Sequence, residues 1–358
     1  MESRPEGALL RALATVAPGS PLRDGLDRVL QSGRGGLIII GDGPEVLNIC
    51  SGGFLLDAAF TPQRLTELAK MDGAIILASD ASRIARANVH LVPNPNVPTV
   101  ETGTRHRTAE RVARSLHVPV VAVSQSRKEI QVYVSDQRHR LEPVSRLLDR
   151  SNQALQTLER YRNRLSSVTK TLSALEVEDL VTLRDVIEVL QRSEMVIRIA
   201  AEINRNLVEL GSDGRLVRLQ LDELMVGVVD DRRLLVRDYF HEDATFHLEE
   251  AMDALSDLDD EALFDEAVLT KTLHLAASVT DLDETLEPRG FRLLAKVPRL
   301  SDSAAEELVA CFETLPRLLR ATPADIESID GFDSARAQAL KEGLARLAEA
   351  SILDRYDS

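Results

Sequence analysis

Asp72-Gly73-Ala74-Ile75-Ile76-Leu77 is a turn running into a short apolar segment, and Gly103-Thr104-Arg105-His106-Arg107-Thr108 is a turn running into the helical sequence Ala109 to Leu116. The first has the brief apolar run bounded by turn residues that marks a buried strand. The second places Ala109, Val112, Ala113 and Leu116 at i, i+3, i+4 and i+7, the inward face of a helix. A further apolar run, Val89 to Val92, lies between them. Strand, strand and helix in this order are one piece of a layered α/β domain.

The alternation continues on both sides. Leu37-Ile38-Ile39-Ile40, closed by Gly41-Asp42-Gly43-Pro44, reads as a strand buried on both faces, and Val118 to Val123 and Ile130 to Val134 read as two more. Gln63 to Met71 is helical, and Leu9 to Gln31 predicts two short helices split by Pro18-Gly19-Ser20-Pro21. Residues 1–142 are therefore expected to form an α/β domain with a central mixed sheet. Val144 through Leu210 has helical spacing with few breakers and predicts a helical spine or bundle over residues 143–287. Within that span Gly211-Ser212-Asp213-Gly214 is a turn, and the acidic stretch His241 to Glu266 reads as a solvated helical face or loop. Residues 288–358 are short helical segments. Their clearest part is a helix before Ile329, a hairpin at Asp330 to Asp333 and a helix with Ala335, Ala339 and Leu340 inward, a helix-hairpin-helix pattern. The fold class is multidomain, α/β followed by all-α.

Composition limits the function. At 358 residues the chain suits two or three domains, and 44% hydrophobic with 28% charged residues is globular. A net charge of −15 repels nucleic-acid phosphates over most of the surface, so a DNA contact must come from a local patch or from backbone amides. Cys50 and Cys311 are far apart and have neither metal-ligand nor disulfide spacing. No leader-like start and no apolar run near ~18 residues is present, so a cytoplasmic protein that crosses no membrane is expected.

The chemistry concentrates at the two turns. A helix start offers free amides and the positive end of a dipole, and Arg105 and Arg107 add guanidinium groups suited to phosphate. The bland alternative is that Thr104 or Thr108 caps the helix while the arginines are solvated. Asp72 is either a carboxylate facing a nucleotide, as metal ligand or acceptor of a ribose hydroxyl proton, or part of a helix C-cap in which Gly73 is left-handed. Ser124 ends a strand, where α/β sheets present ligand contacts, or caps its own turn. Leu91 is a surface for a base or core. Gly33-Arg34-Gly35-Gly36 and Ser51-Gly52-Gly53-Phe54 are glycine-rich but lack the P-loop pattern, and His90, His117 and His139 are isolated.

With these residues in view, Asp72-Gly73-Ala74 followed by Gly103-Thr104-Arg105-His106-Arg107-Thr108 resembles the paired signature of diadenylate cyclase domains. The order of cyclase domain, helical spine and helix-hairpin-helix resembles one branch of that family along nearly the whole chain. The resemblance implies condensation of two ATP into cyclic di-AMP with release of two pyrophosphates, dependent on Mg²⁺ or Mn²⁺. It implies a homo-octamer in which cyclase domains face each other, and a cytoplasmic, nucleoid-associated protein whose activity branched DNA modulates. By position, Asp72 handles the attacking hydroxyl or the metal, Gly73 and Leu91 contact adenosine, and Thr104, Arg105, His106, Arg107 and Thr108 hold phosphates, with Ser124 nearby. One departure stands out: hairpins of this kind usually read Gly-hydrophobic-Gly, whereas the C-terminal turn reads Gly331-Phe332-Asp333, and Pro298-Arg299-Leu300-Ser301 has neither glycine. A carboxylate at Asp333 repels phosphate, so DNA binding through Gly331 is expected to be weak. The competing readings are a non-catalytic DNA-binding scaffold that senses ATP or cyclic di-AMP, and a different nucleotidyltransferase.

Overall fold

The structure is a computed structural model that describes residues 5–240, 247–275 and 282–356. Its contacts group the chain into two units, Met1–Gln153 with Glu202–Gln220 and Ala154–Ala201 with Leu221–Ser358.

The first unit contains, in order, α1 (Pro5–Thr15), α2 (Pro21–Gln31), β1 (Gly36–Ile40), α3 (Pro44–Asn48), β2 (Cys50–Ser51), β3 (Phe54–Ala59), α4 (Pro62–Leu68), β4 (Ala74–Leu77), β5 (Arg83–Leu91), α5 (Thr104–Leu116), β6 (Val120–Ser124), β7 (Glu129–Val134) and β8 (Gln137–Arg140). The sheet runs β2-β5-β4-β1-β6-β7-β8, with β3 also paired to β5. Among the described residues only β1 and β4 pair in parallel, Ile38 opposite Ile75, so the sheet is mixed as expected. The unbroken apolar run of β1 has a simple cause: both faces are covered. Leu37 and Ile39 join a core with Val46 of α3 and Ala109, Val112 and Ala113 of α5. Ile38 and Ile40 join a second core with Leu13 of α1, Leu26 and Val29 of α2 and Leu65 of α4. Each such side chain contributes about 1.5–3 kcal/mol on burial.

Strands β2, β3 and β8 go beyond the sequence expectation. Phe54, Leu55 and Leu56 of β3 are all exposed, so there is no inward and outward alternation to read, and Gln137-Arg138-His139-Arg140 of β8 has no aliphatic residue. The glycine-rich Gly52-Gly53 is the left-handed turn joining β2 to β3, with φ of 64° and 80°.

The helical stretch from Val144 to Leu210 is two helices, α6 (Val144–Glu178) and α7 (Leu183–Leu210). Asp179 breaks it at φ 62°, and Asp185 then caps the restart, accepting from the Thr182 amide at 2.9 Å and its hydroxyl at 2.6 Å. A 3₁₀ turn at Gly211–Gly214 leads into α8 (Arg215–Met225), followed by α9 (Val228–Tyr239), α10 (Leu248–Asp257), α11 (Asp260–Phe264) and α12 (Glu266–Thr272). Of the acidic stretch His241 to Glu266, residues 241–246 lie outside the described residues; the remainder is largely helical.

The last helices are α13 (Phe291–Leu294), α14 (Asp302–Phe312), α15 (Leu315–Arg320), α16 (Pro323–Glu327) and α17 (Ser334–Tyr356), which share a core of Leu294, Leu308, Leu318, Ile326, Leu340 and Leu344. Ala335 and Ala339, expected inward, are exposed. The phase of α17 is set by Ala337, Leu340 and Leu344, at i, i+3 and i+7, which are buried instead. Among the described residues no helix is long and apolar enough to cross a membrane.

Candidate functional site

Helix α5 begins at Thr104, five residues before the apolar face suggests, so Arg105, His106 and Arg107 all lie in its first turn. Its N-cap is Gly103, extended at φ −78° and ψ 138°, and no side chain caps the helix. This corrects the capping role considered for Thr104 or Thr108. The first intrahelical bond runs from the Arg107 amide to the Gly103 carbonyl at 2.9 Å. Among the described residues the amides of Thr104, Arg105 and His106 have no acceptor, and they stand at the positive end of a thirteen-residue helix.

Arg105 brings the two turns together, donating to Asp72 Oδ1 at 2.5 Å. Its guanidinium passes over Gly35, where a Cβ would collide with it and stand 3.1 Å from the Val123 carbonyl. Gly73 is needed for a similar reason. Helix α4 already ends with Ala69 as its C-cap, and Gly73 does not have a positive φ, so the left-handed C-cap reading fails. A Cβ on Gly73 would lie 2.5 Å from the Asn88 backbone, which bulges at φ 54° where the β4–β5 register shifts. Gly73 thus lets the strand carrying Asp72 press against its neighbour. Neither glycine's role is legible locally, because each depends on a residue distant in sequence.

His106 turns inward. Its imidazole is buried and its Nδ1 lies 2.8 Å from the Tyr133 hydroxyl. That hydroxyl also reaches Glu101 Oε1 at 3.0 Å and Gln131 Oε1 at 2.5 Å. Both of these oxygens can only accept, so the single hydroxyl proton is shared between them and the hydroxyl oxygen accepts from Nδ1–H. Burial lowers the His106 pKa, and burial together with the Glu101 hydrogen bond raises that of Tyr133, so both are neutral near pH 7. What His106 presents outward is its backbone amide; its side chain braces the helix start from behind. The signal was in the sequence, because His106 precedes Ala109 and Ala113 by three and seven residues, on the same helical face.

Thr104, Arg105 and Arg107 are exposed, and Arg107 forms no ion pair among the described residues; Thr108 is half-buried. Leu91 is 7% exposed at the end of β5, paired with Cys50, and belongs to the core. Ser124 follows Val123 beside the Gly35–Arg105 contact, but its hydroxyl accepts from the Arg127 amide at 3.3 Å, which caps its own turn. Gly331 lies outside this unit, in the turn before α17.

Among the described residues no three His, Cys, Asp or Glu side chains are placed to hold a metal ion together. A lone exposed carboxylate fits a Mg²⁺-type ion that takes its remaining ligands from water and substrate phosphates. Asp72, whose side chain is 91% exposed and meets Arg105, is a carboxylate of that kind.

A mixed sheet carrying an open helix start, two arginines and an opposed carboxylate defines a nucleotide-handling domain, and comparison with known proteins makes it a diadenylate cyclase. Residues 23–138 match the family described as DisA bacterial checkpoint controller nucleotide-binding, and residues 141–282 match the DisA bacterial checkpoint controller linker region. The chain is 52% identical over 354 residues to the DNA integrity scanning protein DisA of Streptomyces coelicolor, covering 98% of this chain and 95% of that one. It is 51% identical over 358 residues to the DisA of Parafrankia sp., covering 99% and 100%. A partial likeness also exists to the solved structure of DacA from Staphylococcus aureus, with TM-score 0.28 and 20% identity, covering 38% of this chain and 89% of that one. The chain belongs to the DisA family.

Proposed function

We propose that the start of α5 holds the phosphates of one ATP and that two such sites, from two copies of the chain, face each other to make cyclic di-AMP. The observation that carries this reading is an uncapped helix start whose Arg105 is paired with Asp72. In each of two steps a ribose 3′-oxygen bonds to the α-phosphorus of the other ATP, the bond to the leaving oxygen breaks, pyrophosphate departs and the hydroxyl proton is lost. Thr104, Arg105 and His106 offer amides to the phosphates, and Arg105 and Arg107 neutralise charge as it builds on the phosphorus oxygens. Asp72 stands at the mouth, as acceptor of the hydroxyl proton or as ligand of Mg²⁺ or Mn²⁺. When bound, the ion supplies further charge neutralisation at the phosphates. Gly73 borders the adenosine, with Leu91, whose side chain is in the core, able to contribute only its backbone, and Thr108 and the end of β6 at Ser124 complete the surroundings.

Two features favour a second copy. Asp72 is 91% and Arg105 43% exposed, so this half forms one wall of a reaction site, and each ATP must be nucleophile to the other. Two-fold symmetry satisfies both conditions, and an octamer is the assembly that the family resemblance suggests.

Residues 288–358 are the proposed DNA-binding part, a helix-hairpin-helix domain through which branched DNA modulates the cyclase. Gly331, at φ 87°, makes the turn before α17, but Asp333 Oδ1 accepts the Arg336 amide at 2.8 Å and Arg336 donates to the Gly331 carbonyl at 2.9 Å. The helix start that would meet a phosphate is filled by its own carboxylate, which supports weak binding.

Incubation of the protein with ATP and Mg²⁺ or Mn²⁺, followed by mass spectrometry, tests the reading. Cyclic di-AMP is expected from the unmodified chain and not from Asp72→Ala; its absence from both overturns it.

A further inference from the structure

The unit formed by Ala154–Ala201 and Leu221–Ser358 contains a cavity of about 130 Å³, lined by none of the residues the cyclase reading uses. Four cationic side chains line it: Arg162, Lys170, Arg232 and Arg292. The acidic residue among its lining is Asp231, which is exposed.

Of these cations, Arg232 and Arg292 are paired with the buried carboxylates Glu194 and Glu176, whereas Arg162 and Lys170 form no ion pair among the described residues. Arg232, whose side chain is 9% exposed, gives one guanidinium nitrogen to Glu194, and Glu194 is shared with Arg198 Nε at 3.3 Å. Arg232 Nε is buried and has no hydrogen-bond partner. A buried guanidinium N–H without an acceptor costs on the order of 1–3 kcal/mol, so a native site of this kind calls for an occupant. Arg162 donates its Nε to the Leu224 carbonyl at 3.2 Å, and Lys170 is exposed. Arg292 is paired to Glu176 at 2.5 Å. Val228, the first residue of helix α9, also lines the cavity, but Asp230 and Asp231 in the first turn of that helix offset its positive end, so the cationic side chains carry the site.

The cavity is large enough for a phosphate-sized ion, and its cationic lining selects the ligand. Guanidinium forks favour a tetrahedral oxyanion over a halide.

We propose that this cavity binds a phosphate-type oxyanion, with Arg232, Arg162 and Lys170 as its cationic ligands. Free inorganic phosphate and pyrophosphate share that chemistry and separate on titration. The test is calorimetric titration of the full-length protein with each anion at constant ionic strength in chloride. Saturable binding is expected, weakened about tenfold or more by Arg162→Gln and by Lys170→Ala, and retained in Arg105→Ala, which removes the arginine of the cyclase site. Lys170 is exposed, so its substitution leaves the fold intact. Stronger binding of pyrophosphate than of phosphate identifies the released product as the ligand, and the reverse order identifies free phosphate. No saturable binding to the unmodified chain, or binding lost in Arg105→Ala and unaffected by the other two substitutions, overturns the proposal.

Discussion

Two of the helix starts that follow a glycine, α5 at Gly103 and α17 after Gly331, carry sequence that the family resemblance expects to meet phosphate. They differ in one group. At α5 the N-cap is a glycine without a side chain, the amides are open and two arginines flank them. At α17 Asp333 supplies the acceptor from within, and the nearby Arg336 bonds the turn. The surroundings follow suit: residues 288–358 hold ten Lys and Arg against twelve Asp and Glu. A helix start is an anion site only where the chain has not already provided the anion.

The contrast can be broken most severely at Arg105. Arg105→Ala is expected to lower the rate of cyclic di-AMP formation by about a hundredfold or more, comparable with loss of a transition-state donor elsewhere, and steady-state kinetics would read it. A fall below about threefold would remove Arg105 from the chemistry. Gly73→Val places side-chain atoms where a Cβ already stands 2.5 Å from Asn88, so a loss of about 1–3 kcal/mol in denaturant unfolding is expected, together with reduced turnover. Retention of wild-type stability would mean that β4 and β5 part easily.

At the other helix start, Asp333→Gly removes the internal anion. Affinity for branched DNA is expected to rise several-fold, and the dependence on salt to steepen, in a binding titration at two ionic strengths. An unchanged affinity would make the capping carboxylate irrelevant to DNA.

The smallest effect concerns His106. Burial puts its folded pKa below the ordinary 6.5, so the unfolded chain binds the extra proton first as pH falls. Its contribution is fully present above 6.5 and is lost as pH drops from there through the folded value. Melting temperature should decline over that window, and His106→Gln should flatten the decline. His139 has the opposite sign, because its hydrogen bond to Glu209, 2.7 Å long, raises its pKa; the stability it adds is lost as pH rises through the folded value above 6.5.

Local pattern made β1, β4, β6, β7 and α5 readable. Leu37 to Ile40 had to be covered on both faces, and Arg-His-Arg before Ala109 had to lie at a helix start. What escaped depends on distant partners. Gly35 and Gly73 are fixed by Arg105 and Asn88, which no window around either glycine contains. The exposed β3 and the polar β8 form because a neighbouring strand offers them an edge. His106 was readable by helical phase, but its charge type suggested an outward role. The inward face of α17 was misread because alanines at Ala335 and Ala339 fit an apolar spacing as well as Ala337 does; the leucines at Leu340 and Leu344 decide the phase.

The open start of α5 is tested most directly by giving it what α17 has. Gly103→Asp suits the extended backbone at this position, where a Cβ meets only His106 Cδ2 at 3.6 Å, so the new carboxylate should cap the helix without strain. Measured side by side for melting temperature and for cyclic di-AMP formed from ATP, the variant should melt no lower than the unmodified protein while its product rate falls about tenfold or more. Product formed at the unmodified rate by a folded Gly103→Asp protein would contradict the phosphate site at this helix start.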